Sequence, residues 1–273
     1  MNNNLILNIP HASTILNWTD IPSPVNESGS TIYWNHGGHC RTILYRLQNY
    51  KKELQFMTDW YTDELFNNGI GTAHIAPVSR LICDMERFRD PEQEAMEKIG
   101  MGICYTNRHD GTHLSDYKTS HRDKIIEKYY DPYHQRLTDF VDEALQEHKC
   151  ALILDCHSFH PTPLPYEPDQ SPDRPDICMG TDSFHTPQEL VEISQRFFMD
   201  KGYSVKINSP YAGTIVPLKH LCKNKRVLSI MIELNRGLYL KEGTNERNNY
   251  FRTLKQHLKE YQSLVSGASS GLL

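Results

Sequence analysis

Short apolar runs of strand length recur along the chain, and helical patterns separate them. The runs cover residues 5–9, 72–76, 81–83, 151–154, 203–207 and 227–234. Several are apolar on successive residues, which is typical of strands buried on both faces. Helical spacing predicts helices at about 39–53, just after Asp59, at about 120–147, at about 186–202 and from Phe251 to Tyr261. Strands that alternate with helices predict an α/β sandwich with a largely parallel sheet.

Length and charge narrow the class of protein. The chain has 273 residues, and 29 Lys and Arg against 34 Asp and Glu leave a formal net charge of −5. We expect a single domain over residues 1–273, with a frayed tail at 264–273. The mild acidity argues against binding to nucleic acid or to an anionic membrane. The sequence has neither a signal segment nor an apolar stretch of about 20 residues, so we expect a soluble cytoplasmic protein.

Cysteine usage and the absence of common motifs exclude further classes. Seven scattered cysteines without a Cys-x-x-Cys pair argue against a disulfide framework and a structural zinc knuckle. The sequence contains no His-Glu-x-x-His, Gly-x-Gly-x-x-Gly, Walker or Gly-x-Ser-x-Gly motif. Nucleotide binding and α/β-hydrolase chemistry therefore receive little support.

Polar side chains gather where the predicted strands end, which is where open α/β sheets bind ligands. Segment 159–176, with six prolines, is predicted to be a long loop that leaves one of these ends. The residues at the strand ends are His11 after the first strand, Asp155, His157 and Ser158 after 151–154, and Glu233 and Arg236 at the end of the run 227–234. Asp59 precedes a predicted helix, where an N-cap is the ordinary role of an aspartate.

Strand alternation places Asp155 and His157 on one face and Cys156 on the other. His157 and Asp155 are then either two metal ligands, or a ligand and its hydrogen-bonded partner. His11, Asp59 and His157 together form a set that suits zinc with one position open for water. Each of them alone is also compatible with an ordinary structural role.

Arginines near these segments have two interpretations. Arg80 and Arg87 lie on either side of Asp84, which indicates either a local ion-pair network or a guanidinium fork for a substrate carboxylate. Arg236 is open to the same two interpretations.

Taken in order, several short segments resemble the N-formylglutamate amidohydrolase family. They span residues 5–245 and are Ile9-Pro10-His11-Ala12, Thr58-Asp59-Trp60, Ser79-Arg80-Leu81-Ile82-Cys83-Asp84, Asp131-Pro132-Tyr133-His134, Asp155-Cys156-His157-Ser158, Asp176-Ile177-Cys178-Met179-Gly180-Thr181, Asn208 with Gly213, and Glu233-Leu234 with Tyr239. The resemblance implies an α/β fold like that of zinc carboxypeptidases, a three-layer α/β/α sandwich with a mixed, mostly parallel sheet.

The resemblance also implies a function and roles for individual residues. It implies a zinc-dependent amidohydrolase that cleaves an N-acyl amino acid, with N-formyl-L-glutamate from histidine breakdown as the expected substrate. One Zn²⁺ per chain is expected, with His11, Asp59 and His157 as ligands. Glu233 would be the general base and Arg80 would stabilise the oxyanion. The remaining expected roles are substrate binding by Arg87, Asn208 and Arg236, and orientation of the ligands by Asp155 and Ser158.

One departure from the family leaves the substrate open. Pro210 stands where family members often carry an arginine, so a different substrate is possible if that arginine grips glutamate. The alternatives are a carboxypeptidase-like or deacylase-like metallohydrolase acting on a larger peptide, and a non-catalytic binding protein on the same scaffold. We expect a small-molecule partner, no nucleic acid and no membrane, and the sequence does not predict the oligomeric state.

Overall fold

The computed structural model describes residues 4–17, 19–22 and 39–271 of the chain. A π-helical turn, Ile126–Tyr130, joins two of the helices. The strands and helices, in chain order, are β1 (Leu5–Ile9), α1 (His39–Met57), α2 (Thr62–Phe66), β2 (Thr72–Ile75), α3 (Thr119–Ile125), α4 (Asp131–His148), β3 (Ala151–Phe159), β4 (Ile177–Gly180), α5 (Gln188–Asp200), β5 (Val205–Ile207), β6 (Val227–Asn235) and α6 (Phe251–Ala268).

The strands form one six-stranded sheet in the order β2-β1-β3-β6-β4-β5. The first four are parallel to one another, whereas β4 pairs antiparallel with β6 and parallel with β5. The sheet is therefore mixed and mostly parallel, as expected. In register, Asn8 of β1 lies beside Asp155 of β3, and His157 of β3 lies beside Glu233 of β6.

Helices cover both faces of the sheet. On one face, alternate apolar residues of β1, β3 and β6 pack against α2, α5 and α6. On the other face, Ile6, Ile153 and Val227 pack against Leu137 and Val141 of α4. A separate apolar cluster joins α1 to the irregular segment 76–105. Among the described residues, no helix combines the length and apolarity that crossing a bilayer requires.

The face beneath α4 changes from apolar to polar toward the carboxyl ends of the parallel strands. Ile6 is followed on this face by Asn8, and Ile153 is followed by Asp155 and His157. Strand residues two apart share a face, so the polar groups of the three adjacent strands β1, β3 and β6 lie together on this face. Cys156 points to the other face and is buried in the apolar core.

Three parts of the structure differ from what the sequence predicts. Residues 81–83 form buried turns instead of a strand, with the amides of Ile82 and Cys83 donating to the Ser79 carbonyl. Short strand β4 was not predicted, because four residues directly after a proline-rich loop carry little periodicity.

The C-terminal residues also depart from the prediction of a frayed tail. Helix α6 continues to Ala268, and Val265 is fully buried. The Ser269 side chain is buried, and its hydroxyl accepts a hydrogen bond of 2.6 Å from the Asn4 amide. Contact with the start of β1 thus anchors this end of the chain through residue 269.

Two leucines of α6 provide a test of this packing. Leu258 is fully buried against the sheet, whereas Leu264 is 42% exposed. We expect Leu258→Ala to lower the free energy of unfolding by about 2–5 kcal/mol, because it removes buried methyl groups and leaves a cavity. Leu264→Ala is the matched control and should change it by less than about 1 kcal/mol. Urea denaturation measures both, and equal losses would contradict the assigned face of α6.

Candidate metal centre

Three side chains with metal-binding atoms converge at the polar end of the sheet face. His11 follows β1, Asp59 lies between α1 and α2, and His157 is on β3. Asp59 Oδ2 lies 3.2 Å from His157 Nδ1 and 3.7 Å from His11 Nδ1. All three residues are at most 3% exposed. The structure therefore brings together the His/Asp cluster that the sequence predicted.

The backbone holds Asp59 in place without using its side chain as a helix cap. Its amide donates to the His11 carbonyl at 3.0 Å, and the Thr62 hydroxyl donates to the Asp59 carbonyl at 3.0 Å. Residue Tyr61, not Asp59, is the N-cap of α2. The carboxylate is thus left free to face the two histidines.

Each histidine is held on its far side by a second carboxylate. Asp84 Oδ1 lies 2.9 Å from His11 Nε2, and Asp155 Oδ1 lies 3.1 Å from His157 Nε2. Such outer carboxylates fix the ring orientation and tautomer of metal-binding histidines. With both Nε2 atoms engaged, the Nδ1 atoms of both rings face Asp59. Within the described part of the chain, His11 Nδ1 is buried and has no hydrogen-bond partner, as expected of an atom whose partner is a bound ion.

Asp155 is itself tightly held. The Asn8 amide donates to its Oδ1 at 2.8 Å, and the Ile215 backbone N–H donates to its Oδ2 at 3.0 Å. The Tyr133 hydroxyl donates in turn to Asn8 Oδ1 at 2.6 Å. Burial opposes ionisation of Asp155, but its contacts with His157 and these donors outweigh that effect and lower its pKa. The orienting role of Asp155 stays a prediction, and these contacts are compatible with it.

Asp84 is the centre of an ion-pair network. Arg80 Nη2 lies 2.8 Å and Arg87 Nη2 lies 3.3 Å from Asp84 Oδ2. The Tyr105 hydroxyl donates to the same oxygen at 2.7 Å. Burial acts to raise the Asp84 pKa, but the two arginines outweigh it and hold the pKa well below its ordinary value. Of the two interpretations of Arg80 and Arg87, these contacts favour the local network.

Arg236 is directed at the Asp59 carboxylate. Its Nη2 donates to Asp59 Oδ1 at 2.9 Å, its Nε donates to the Ser158 hydroxyl at 3.1 Å and its Nη1 donates to the Phe56 carbonyl at 2.6 Å. The Ser158 backbone N–H donates to Asp59 Oδ2 at 3.1 Å. Ser158 and Arg236 thus hold Asp59 in place.

Asn208, which the sequence predicted to bind substrate, is exposed, and its side-chain amide pairs with Thr181 after β4.

Two glutamates complete the acidic surroundings. Glu233 lies beside His157 in register, is 7% exposed, and its Oε2 has no partner among residues 4–17, 19–22 and 39–271. Burial raises the Glu233 pKa to about 8, opposed by His157 and reinforced by Asp59 and Glu86. Sequence reasoning missed Glu86, whose Oε1 lies 3.1 Å from His157 Nε2. The sequence feature that could have indicated Glu86 is its position two residues after Asp84.

The charges of this cluster are not balanced. Five carboxylates (Asp59, Asp84, Glu86, Asp155 and Glu233) face three arginines (Arg80, Arg87 and Arg236), so two negative charges are in excess when both imidazoles are neutral. Bound protons would reduce the excess. Burial disfavours a charged His157, but Glu86 and Asp155 outweigh burial and raise its pKa well above its ordinary value. A divalent cation would replace those protons.

A second group of potential ligands shares His157. Ligand atoms of Glu86, Asp155 and His157 also lie within 4.8 Å of one another, as do those of His11, Asp59 and His157. Asp59 and Asp155 each accept two hydrogen bonds from other residues, so the carboxylates do not separate the two groups. The group with His11 contains a buried nitrogen without a partner among the described residues. The chemistry of the donors therefore favours His11, Asp59 and His157 as the metal ligands.

Comparison with known proteins places the chain in a family. The model of the N-formylglutamate amidohydrolase family matches residues 4–240. This protein belongs to the N-formylglutamate amidohydrolase family. Its membership agrees with the resemblance carried by the short segments around His11, Asp59, His157 and Glu233.

Two solved structures are similar to this one. The crystal structure of an N-formylglutamate amidohydrolase from Ralstonia eutropha JMP134 matches with a TM-score of 0.76 and 26% identity, covering 97% of this chain and 94% of that one. The crystal structure of the gene product Atu2144 from Agrobacterium tumefaciens matches with a TM-score of 0.57 and 18% identity, covering 97% of this chain and 94% of that one. At this identity the match shows the fold alone. No curated protein matches the chain.

Substitutions in the cluster test whether it binds a metal. We expect His157→Ala to abolish stoichiometric zinc binding, because it removes a ligand. We expect Asp155→Asn to weaken the affinity for zinc about 10- to 100-fold, because the His157 ring loses the carboxylate that orients it. Competition with a chromogenic chelator measures the affinities. His220→Ala is the control, since His220 is buried and pairs with Asp142 outside the cluster. Zinc binding by His157→Ala equal to wild type would exclude this site.

The raised Glu233 pKa predicts how the stability of the metal-free protein depends on pH. With a folded pKa of about 8 against a reference of 4.5, the folded state keeps a proton that the unfolded state releases between those values. Stability from Glu233 is therefore present below about pH 4.5 and lost as the pH rises through about 8. Relative to Glu233→Gln, wild type should lose at least about 1.4 kcal/mol of unfolding free energy across this window, the equivalent of one pKa unit.

Denaturant titrations of chelator-treated protein at pH 5 and pH 9 measure this loss. Glu246→Gln, a substitution in an exposed ion pair with Lys241, serves as the control. Parallel pH profiles for wild type and Glu233→Gln would contradict the assigned environment of Glu233.

Proposed function

We propose that this protein is a zinc-dependent amidohydrolase that cleaves N-formyl-L-glutamate to formate and L-glutamate. Family membership supports the reaction class. The observation that carries the zinc assignment is the buried His11 Nδ1, which has no partner among the described residues and faces Asp59 beside His157. A cytoplasmic location and a place in histidine breakdown stay predictions.

His11, Asp59 and His157 would hold the ion through two nitrogens and one carboxylate oxygen. This set fits a catalytic zinc, which has three protein ligands and an open position. A bound zinc supplies a water of lowered pKa and polarises the formyl carbonyl. The outer contacts from Asp84 and Asp155 support ligand orientation, and Arg236 supports the position of Asp59.

Glu233 is proposed to move the proton during hydrolysis. Water attacks the formyl carbon, Glu233 accepts a proton from that water, and the C–N bond breaks as Glu233 passes the proton to the leaving nitrogen of glutamate. Its side chain is suited to this because Oε2 has no competing partner in the described structure. A nearby zinc ion would favour the ionised form of Glu233. A buried carboxylate whose pKa is raised is then a better proton acceptor than an exposed one.

The arginines are proposed to act mainly through the carboxylates that they contact. Arg80 Nε and Nη2 are engaged with Asp84 and Tyr105, and Arg87 donates to the Met101 carbonyl and lies near Asp84. These contacts support a role in fixing Asp84, and through it His11. They do not support the oxyanion role expected for Arg80 or the substrate role expected for Arg87. Substrate contact by Asn208 stays a prediction.

Substitution of Glu233 tests the mechanism. Glu233→Gln should retain stoichiometric zinc but lower kcat for N-formyl-L-glutamate about 10²- to 10⁴-fold, because the proton transfer is lost. Elemental analysis measures zinc, and formate release measures turnover. The surface variant Glu246→Gln should match wild type in both.

The outcomes separate the proposal from its alternatives. Wild-type turnover by Glu233→Gln would exclude Glu233 as the base. Wild-type protein that holds zinc but hydrolyses only longer formyl or acyl peptides would replace N-formyl-L-glutamate with a larger substrate. Protein that binds no zinc even at saturation would exclude the proposed mechanism.

A further inference from the structure

A buried ion pair lies within the proline-rich segment between β3 and β4. Arg174 and Glu167 contact each other there, with their side chains 3% and 2% exposed. Burying two charges in an irregular loop costs desolvation free energy, which needs compensating hydrogen bonds. Glu167 receives such a bond from the Leu164 backbone N–H at 3.2 Å. The compensation for Arg174 is incomplete.

The guanidinium of Arg174 uses one of its three nitrogens. Nη2 donates to the Glu167 carboxylate and, at 2.9 Å, to the Asp169 carbonyl. Nε and Nη1 are buried and have no aligned acceptor among the described residues. The Tyr211 side chain also interacts with the guanidinium. A buried donor left unpaired typically costs about 1–3 kcal/mol. The unmet donors thus point to an acceptor supplied by a bound molecule.

Two aromatic rings fix the position of the guanidinium next to the metal centre. Its central carbon lies 5.8 Å from the ring centroid of Phe159 and 5.9 Å from that of Tyr211. Phe159 follows His157 by two residues in β3, so it shares the face of His157 about 7 Å further along the strand. Arg174 therefore lies beside the site, just beyond the carboxyl end of β3.

Tyr211 lies between Arg174 and the strand residues around Glu233. The Cys178 thiol contacts the Tyr211 carbonyl at 3.2 Å, and Cys178 pairs in register with Glu233. Burial is the main cause of the raised Tyr211 pKa, and the negative charge of Glu233 adds to it. Arg174 and Glu233 thus both lie close to Tyr211.

We propose that Arg174 binds a carboxylate of the amino-acid part of the substrate and so selects acidic N-acyl amino acids. The identity of the substrate rests on the proposed function. Arg80, Arg87 and Arg236 all contact carboxylates of the metal centre itself. Arg174 lies beside the centre, and its Nε and Nη1 have no aligned acceptor among the described residues. Glu167 is a positioning residue that holds the guanidinium between the two rings.

Three substrates that differ by one charge test this proposal: N-formyl-L-glutamate and its two monoamides, N-formyl-L-glutamine and N-formyl-L-isoglutamine. Wild type should favour the diacid over at least one monoamide by about 10- to 100-fold in kcat/KM, since a charge-assisted hydrogen bond is lost. Arg174→Met should lower kcat/KM for the diacid to the value for that monoamide. It should leave kcat/KM for the monoamide itself unchanged. Zinc content should not change.

Control variants separate binding from folding. Arg89→Met removes an exposed arginine that pairs with Asp131 and should retain the wild-type preference. Glu167→Gln keeps the guanidinium and should retain a measurable preference for the diacid. If Arg174→Met fails to fold by near-ultraviolet circular dichroism, Arg174→Lys replaces it, with an expected increase in KM for the diacid and little change in kcat.

The outcomes distinguish this proposal from the proposed function. An undiminished preference for the diacid in folded Arg174→Met, or an equal loss on all three substrates, would overturn the role of Arg174. If zinc-loaded wild type hydrolyses none of them, the proposed function fails instead. Calorimetry with glutarate then decides the role of Arg174: binding that is lost in Arg174→Met supports the carboxylate site, and equal or absent binding overturns it.

Discussion

The structure of the candidate site depends on excess negative charge buried at the ends of three parallel strands. Carboxylates of this kind are costly to bury unless cations or hydrogen-bond donors surround them. Three arginines offset part of this negative charge through ion pairs with Asp59 and Asp84. Backbone and side-chain N–H groups donate hydrogen bonds that further stabilise the carboxylates of Asp59 and Asp155. Bound protons or a divalent cation would offset the remainder.

The buried carboxylates also fix the orientation of the candidate metal-binding nitrogens. Because Asp84 and Asp155 occupy the Nε2 side of the two histidines, the Nδ1 atoms are the ones that face Asp59. Arginines that the sequence pattern associated with substrate thus contact the carboxylates that set the histidine orientation. Arg174, whose Nε and Nη1 have no aligned acceptor among the described residues, comes from the proline-rich loop and packs against Tyr211. Tyr211 follows Pro210, which stands where family members often carry an arginine.

Much of the fold could be predicted because its signals are local. Runs of successive apolar residues mark the buried parallel strands, and helical spacing marks α1, α4, α5 and α6. Residues 81–83 were predicted as a strand because a buried turn and a buried strand carry the same apolar composition. Strand β4 was missed because four residues are too few for a periodic signal. Ser269 is anchored by Asn4, a contact over 265 residues that no local pattern contains.

The sequence by itself determined the alternation in β3 that sets Asp155 and His157 on one face, and the segments that mark the family. Only the tertiary structure decided which groups meet at the site. It brought His11, Asp59 and His157 together, added Glu86 to them, and engaged Arg236 with Asp59 across 177 positions of the chain. The physical reason is that backbone geometry fixes the direction of a side chain within an element, whereas the pairing of charges depends on the burial that all elements create together.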